Sequence, residues 1–306
     1  MMLQHESEEK KPQLPLLSFQ VITDTHLTPS PSHAYNVNFE RALQDIYAQA
    51  PSSHGIMHVG DITEHGYREE YRELLRIINK YHAYLPNIHY TLGNHDVGVG
   101  DFHVSLKQFL SYTHSPAPYY DFWLKGYHFL FLGTEEGLES FCTLSDTQLQ
   151  WLEEKLQEQG DNDQHCDRHT FIFLHQPLIN TVAGSSEDQS FYGVQEDEQL
   201  REILSKYPNL ILFTGHTHWE MESKNTIYTD LCSPQGPVML NVASTAYLWN
   251  DEHEPIVGSQ GYYVEVYEDH IGIKGRDFLR RKWIPSAQFT IEIASGDQFI
   301  ASYNVL

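Results

Sequence analysis

Cysteine is scarce in this chain, with three in 306 residues, at Cys142, Cys166 and Cys232. Thiols so few and scattered exclude a disulfide framework and a thiolate zinc site. They read as reduced cysteines of a cytoplasmic protein. Basic residues are also short, 19 Lys and Arg against 42 Asp and Glu, for a formal net charge of −23. That balance speaks against a nucleic-acid polymer or an anionic membrane surface as a partner, because both are held by clustered Lys and Arg. Long apolar runs are missing as well. No segment approaches the roughly 20 residues that cross a bilayer, and Met1 to Lys11 lacks the apolar stretch of a secretory signal.

What is present is enough apolar residue, 40%, to build a substantial core. Residues 1–15 form a flexible lead ending in Pro12 and Pro15, and 16–306 are expected to make a single domain. Strand-like runs at 19–22, 56–59, 88–92, 170–174 and 210–213 alternate with segments of helical spacing at 36–50, 67–84, 145–159 and 196–207. Such alternation indicates an α/β fold with parallel strands. From 237 onward the pattern becomes short strands and tight turns, at 237–243, 261–267, 271–276 and 287–293. The expectation is that 237–306 contribute mainly a second, mostly antiparallel sheet. The polar stretches 160–168 and 183–198 read as surface loops.

Metal-binding side chains follow the apolar runs. Asp24-Thr25-His26 comes after the first, Gly60-Asp61 after the second, Gly93-Asn94-His95-Asp96 after the third, His175 after the fourth and Gly215-His216-Thr217-His218 after the fifth. In sheets of parallel strands, sites form at the strands' carboxyl ends. Residues i and i+2 of an extended chain point to the same side, so Asp24 with His26, and His216 with His218, can each address one ion. A carboxylate such as Asp61 can bridge two cations, and Asn94 offers a neutral oxygen. A nitrogen and oxygen donor set without thiolate suits Mn, Fe, Zn or Co. Bound cations would also reconcile an acidic chain with an anionic substrate.

The ordered series D-x-H, G-D, G-N-H-D, H and G-H-x-H resembles the calcineurin-like metallophosphoesterase superfamily, over residues 18–218. In its Asp-Thr-His-Leu opening, its Gly-Asn-His-Asp block and its Gly-His-Thr-His closure it looks most like the bacterial cyclic-nucleotide phosphodiesterase branch. The resemblance implies a four-layer α-β-β-α sandwich of two facing mixed sheets with helices outside. It implies two divalent or trivalent metal ions, one held by Asp24, His26, Asp61 and His218, the other by Asp61, Asn94, His175 and His216. His95 then corresponds to the catalytic histidine, and Glu64 stands where many relatives carry an Asp that orients it. Members that hold phosphate with an Arg have His65 at that place here, which speaks against a protein phosphatase. The implied reaction is hydrolysis of a small phosphodiester by a hydroxide between the two ions, His95 assisting the leaving group. A phosphomonoesterase is the alternative, and a non-catalytic scaffold of the same fold the rival from another class. The expected partner is a small anionic phosphoester, and a homodimer stays open.

The other histidines have plainer readings. His58, His89 and His128 fall inside strand runs as interior or surface residues, and His103, His114, His165 and His169 carry no expected role. Asp96 reads as a support for the ligands or as a helix cap. Gly60, Gly93 and Gly215 are turn glycines that let the backbone pass close to the ions. Tyr119, Tyr120, Phe122 and Trp123 read as core or sheet packing. Tyr192, Trp219, Tyr247 and Trp249 lie on segments that can border the cleft.

Overall fold

The computed structural model describes residues 13–160, 168–189, 193–229 and 236–293, and the backbone of 303–305. The expectations for residues 1–12, for the polar stretch within 161–167 and for His165, Cys166, Tyr192 and Cys232 lie outside these residues. The chain opens with β1 (Leu17–Ile22), α1 (Ala34–Gln49), β2 (Ile56–His58), α2 (Arg68–Tyr81) and β3 (Ile88–Tyr90). The three strands pair in parallel, Val21 opposite Met57 and Met57 opposite His89. After α3 (Asn94–Val97) and α4 (Phe102–Thr113), a hairpin of β4 (Tyr120–Leu124) and β5 (Tyr127–Phe131) starts a second sheet. It turns at Lys125 and Gly126, both at positive φ, as a two-residue hairpin loop requires. Then come α5 (Asp146–Gly160), β6 (Thr170–Phe173), α6 (Asp197–Ser205), β7 (Leu210–Thr214), β8 (Ile227–Tyr228) and β9 (Val238–Asn241). Here β5, β6, β7 and β9 run parallel. The small pair β10 (Leu248–Trp249) and β11 (Pro255–Ile256) precedes β12 (Gln260–Val266), β13 (His270–Asp277), β14 (Lys282–Glu292) and β15 (Tyr303–Val305).

The C-terminal strands do not form a sheet apart from the N-terminal ones, as the sequence pattern suggested. They extend the first sheet, in the order β15-β14-β13-β12-β1-β2-β3, while β4 to β9 make the six-stranded second sheet. The reason is the edge of β1. Its Leu17–Val21 backbone pairs antiparallel with Val266–Tyr262, which satisfies donors and acceptors that would otherwise face the core unpaired. Helix α4 had no counterpart in the sequence reading. It begins at the Asp101 cap, whose carboxylate accepts from Val104 N at 3.0 Å.

Three apolar clusters define the layers. Phe19, Phe129, Phe171, Phe173 and Phe213 meet between the two sheets with β12–β14 residues such as Val264 and Ile273. Leu152, Leu156, Leu200 and Leu204 cover the second sheet, and Phe39, Leu43, Tyr71, Leu74 and Ile77 cover the first. Helix, sheet, sheet, helix is therefore the architecture. Tyr120 and Phe122 pack on the inter-sheet cluster, whereas Trp123 is 38% exposed and stacks on His128. A buried ion pair ties α1 to the first sheet: Arg276 donates to both Asp45 oxygens at 3.0 and 2.8 Å, and Tyr263 donates to the same carboxylate at 2.9 Å. Among the described residues no helix is long and apolar enough to cross a membrane.

Candidate functional site

The parallel strands of both sheets deliver their carboxyl ends to one place. Thr245 N donates to Thr23 O at 3.0 Å and Ala246 N to Asp24 O at 3.1 Å, so the loop after β9 is laced to the loop after β1. His175, after β6, crosses to the other sheet and donates from Nδ1 to Val59 O at 2.7 Å. Contacts this close need small residues. A methyl group at Gly93 would overlap the Asp61 backbone nitrogen and carboxylate, and one at Gly215 would overlap Thr23 and Asp24 Oδ2.

The turns are strained. Asp24, His26, Asp61, His216 and His218 have φ of +50°, +43°, +51°, +69° and +58°, the left-handed region that side chains enter at a cost of about 1–3 kcal/mol each. The strain is held by local hydrogen bonds. Asp24 Oδ2 accepts from Thr23 Oγ1 at 2.7 Å and from His216 N at 3.0 Å. Thr25 Oγ1 donates to Ile62 O at 2.9 Å while accepting from His58 Nε2 at 3.0 Å. Asp96 accepts from Gly93 N at 3.1 Å, Thr63 N at 3.1 Å and Thr63 Oγ1 at 2.9 Å, which locks the Gly-Asp turn to the Gly-Asn-His-Asp turn.

Three groups of ligand atoms converge within 4.8 Å: Asp24, His26 and His218; His26, Asp61 and His95; and Asp61, His175 and His216. Asn94 joins the last through Oδ1, 3.0 Å from His216 Nδ1. Every sequence-predicted ligand is thus in one cluster. The hydrogen bonds made by the far side of each ring bear on whether cations fit. His26 Nδ1 donates to Glu64 Oε2 at 2.8 Å and His218 Nδ1 donates to Tyr247 O at 3.2 Å. In the neutral rings both Nε2 atoms then carry lone pairs, yet they face each other at 3.1 Å and also face Asp24 Oδ1, His218 at 3.0 Å and His26 at 3.7 Å. His175, held through Nδ1, likewise turns Nε2 on Asp61 Oδ2 at 3.0 Å. Asp24 Oδ1 and His175 Nε2 are buried without a hydrogen-bond partner. With the rings neutral, these convergent acceptors have no donor between them, which is the demand a bound cation satisfies.

Charge leads to the same place. Burial would raise the Asp24 and Asp61 carboxyls, but neighbouring histidines, His218 and His175 foremost, hold both well below the usual carboxylate range. Burial would lower His26 and His175, yet the carboxylates around them raise these to about 10 and about 9. The pocket therefore demands positive charge. No Lys or Arg occupies the segments 23–26, 60–66, 93–96, 175–176, 215–219 or 244–249 that carry it.

The geometry changes one expected role. The Glu64 carboxylate does not orient His95. It reaches His26, and the Glu64 backbone carbonyl accepts from His95 Nδ1 at 2.8 Å instead. The extra methylene carries the carboxylate past the near histidine to the next ring, whose centroid lies 4.6 Å from that of His95. His95 N also donates to Asp61 Oδ1 at 2.9 Å. His65 is 48% exposed on its side chain and bonds Glu70 at 3.1 Å. Tyr247 packs on His218 with ring centroids 4.3 Å apart, and Tyr35 stacks on Tyr247 at 5.5 Å. Trp219 and Trp249 meet through backbone pairing, and Trp249 N donates to His218 O at 2.9 Å. Sequence reasoning missed Tyr35, Thr23 and Gln176. Only the adjacency of Thr23 to Asp24 and of Gln176 to His175 hinted at two of them.

The family model for calcineurin-like phosphoesterases matches residues 17–220, more than half of the chain. The chain belongs to the calcineurin-like phosphoesterase family. This phosphoesterase is 25% identical over 214 residues to a "Probable glycerophosphodiester phosphodiesterase GpdQ" of Arcobacter nitrofigilis, covering 64% of this chain and 70% of that protein. Its fold is similar to that of purple acid phosphatase PPD1 from yellow lupin, with TM-score 0.64 and 13% identity. That match covers 90% of this chain and 53% of the lupin protein, so the chain spans about half the lupin enzyme's length. GAP50, the anchor in the inner membrane complex of Plasmodium, gives TM-score 0.53 at 12% identity over 92% of this chain and 90% of its own.

Proposed function

We propose that this phosphoesterase is a dinuclear metal-dependent phosphodiesterase acting on a small phosphodiester. One observation carries the diester reading: the site segments contain three buried carboxylates, Asp24, Asp61 and Asp96, and the half-buried Glu64 but no Lys or Arg. A monoester dianion would bring a second negative charge to a pocket without a fixed cation to receive it, whereas a diester brings one. The likeness to a probable glycerophosphodiester phosphodiesterase supports the same reading.

Asp24, His26, Asp61 and His218 would hold one ion, and Asp61, Asn94, His175 and His216 the second, with Asp61 shared. Bound there, the two cations supply Lewis acidity, acidifying a coordinated water and offsetting phosphoryl charge. The chain's own part is orientation and proton transfer. Nδ1 of His95 is committed to the Glu64 carbonyl, so Nε2 is the nitrogen free to act. As an imidazolium, His95 donates its Nε2 proton to the leaving alkoxide oxygen as the oxygen of a water molecule bonds to phosphorus and the ester P–O bond breaks, giving an alcohol and a phosphomonoester. Thr23, Asp96 and Tyr247 keep the ligand loops in place.

The test is hydrolysis of bis-p-nitrophenyl phosphate and of p-nitrophenyl phosphate by metal-quantified protein, with added Mn²⁺ and with chelator. Faster diester hydrolysis that chelator abolishes is expected, and His95→Ala should lower kcat about 10²–10⁴-fold without changing metal content. A strong monoester preference would refute the diester reading. No hydrolysis of either ester with both ions bound would leave a binding scaffold.

A further inference from the structure

Gln176 follows His175 directly and is 1% exposed. Its Nε2 donates to Asn94 Oδ1 at 3.1 Å, while its Oε1 is buried with no hydrogen-bond partner. The polarity of this contact is dictated from outside. Asn94 Nδ2 donates to the Glu139 backbone carbonyl at 2.8 Å. A carbonyl can only accept, so the Asn94 amide has one orientation and presents its oxygen to Gln176 and His216. Gln176 must answer with its nitrogen, and its own oxygen is turned away from any donor. A buried unsatisfied acceptor is destabilising, and a methionine of similar shape would fill the same space without that cost. Packing alone does not account for an amide here.

We infer that Gln176 is a positioning residue that aims Asn94 at the ion it would share with Asp61, His175 and His216. One lone pair of Asn94 Oδ1 accepts from Gln176, and the other is left to face the ion. The inference rests on the proposed metal centre. Asn94 is the uncharged oxygen ligand of its set, so its contribution depends on orientation more than on charge. Partners that fix a ligand's orientation typically contribute 10–100-fold in metal affinity.

The test is titration of the full chain, stripped by chelator, with Mn²⁺, followed by calorimetry and by the electron paramagnetic resonance of free Mn²⁺. Wild type should bind two equivalents. Gln176→Met should weaken one equivalent about 10–100-fold and leave the other unchanged. The thermal midpoint of its metal-free form should be equal or higher, because the orphaned acceptor is gone. Gln176→Glu, which sets a carboxylate against Asn94 Oδ1, should weaken the same equivalent. Identical isotherms for wild type and Gln176→Met would overturn the inference. So would a lowered metal-free midpoint with both equivalents weakened alike, the mark of a merely structural residue. Wild type binding fewer than two equivalents would instead sink the metal centre itself.

Discussion

Replacing Glu64 separates two jobs that one residue performs through different atoms. Its carboxylate fixes the His26 ring at 2.8 Å, and its backbone carbonyl fixes His95 at the same distance. Glu64→Ala deletes the first contact and keeps the second. Losing a partner that orients a ligand costs about 10–100-fold in metal affinity. The Glu64 side chain is 29% exposed, so water can replace part of the bond and the lower end applies. That is about tenfold, or roughly 1.4 kcal/mol. Glu64→Gln, whose amide oxygen can still accept from His26 Nδ1, should lose less. The assay is Mn²⁺ titration of chelator-stripped protein beside kcat at saturating Mn²⁺. We expect weaker binding of one equivalent in Glu64→Ala with kcat near wild type once metal saturates. A fall in kcat of about a hundredfold, with metal affinity unchanged, would refute the reasoning. It would mean that the carboxylate serves His95 after all.

Asp61→Asn should lower the bound metal-to-protein ratio below that of wild type, measured by elemental analysis, because Asp61 faces both ligand groups; an unchanged ratio would end its bridging role. Arg276→Met leaves the Asp45 carboxylate buried with only Tyr263 and should cost about 3–5 kcal/mol in urea unfolding. Asp45→Leu combined with Arg276→Met should recover part of that loss, and strictly additive single effects would contradict a coupled pair. His169 supplies a pH effect: burial lowers its imidazole to about 4, against about 6.5 when unfolded. The unfolded chain then binds the extra proton between those values, so stability is full above about pH 6.5 and is lost as pH falls toward 4. From pH 7 to 5 this one group should remove about 2 kcal/mol. His169→Gln should flatten the urea-midpoint profile over that range by a corresponding amount, and an unaltered slope would contradict the assignment.

Much of the site was legible because its chemistry is local in sequence. Each ligand loop follows an apolar strand, and parallel strands place such loops at one end. The apolar spacing of α1, α2, α5 and α6 was likewise visible to within a few residues. What stayed hidden depended on partners distant in sequence. Helix α4 escaped because Ser105, Phe109 and Thr113 are its buried positions, a weak apolar signal. The C-terminal strands read as a separate sheet because nothing in their own residues announces that β1 needs an antiparallel neighbour. Gln176 and Tyr35 carry no motif at all, and each is notable only for a side chain from another segment.

The residues alone determined the donor set: which oxygens and nitrogens exist, in what order, with thiolate and fixed cations missing from it. That suffices to point to two hard or borderline ions and an anionic ester. The tertiary structure decided which atom serves which neighbour. It sent the Glu64 carboxylate to His26 and the Glu64 carbonyl to His95, and it set Gln176 against Asn94. Those choices turn on an extra methylene and on the direction of one carbonyl, distances of a few ångströms between segments that the sequence holds far apart.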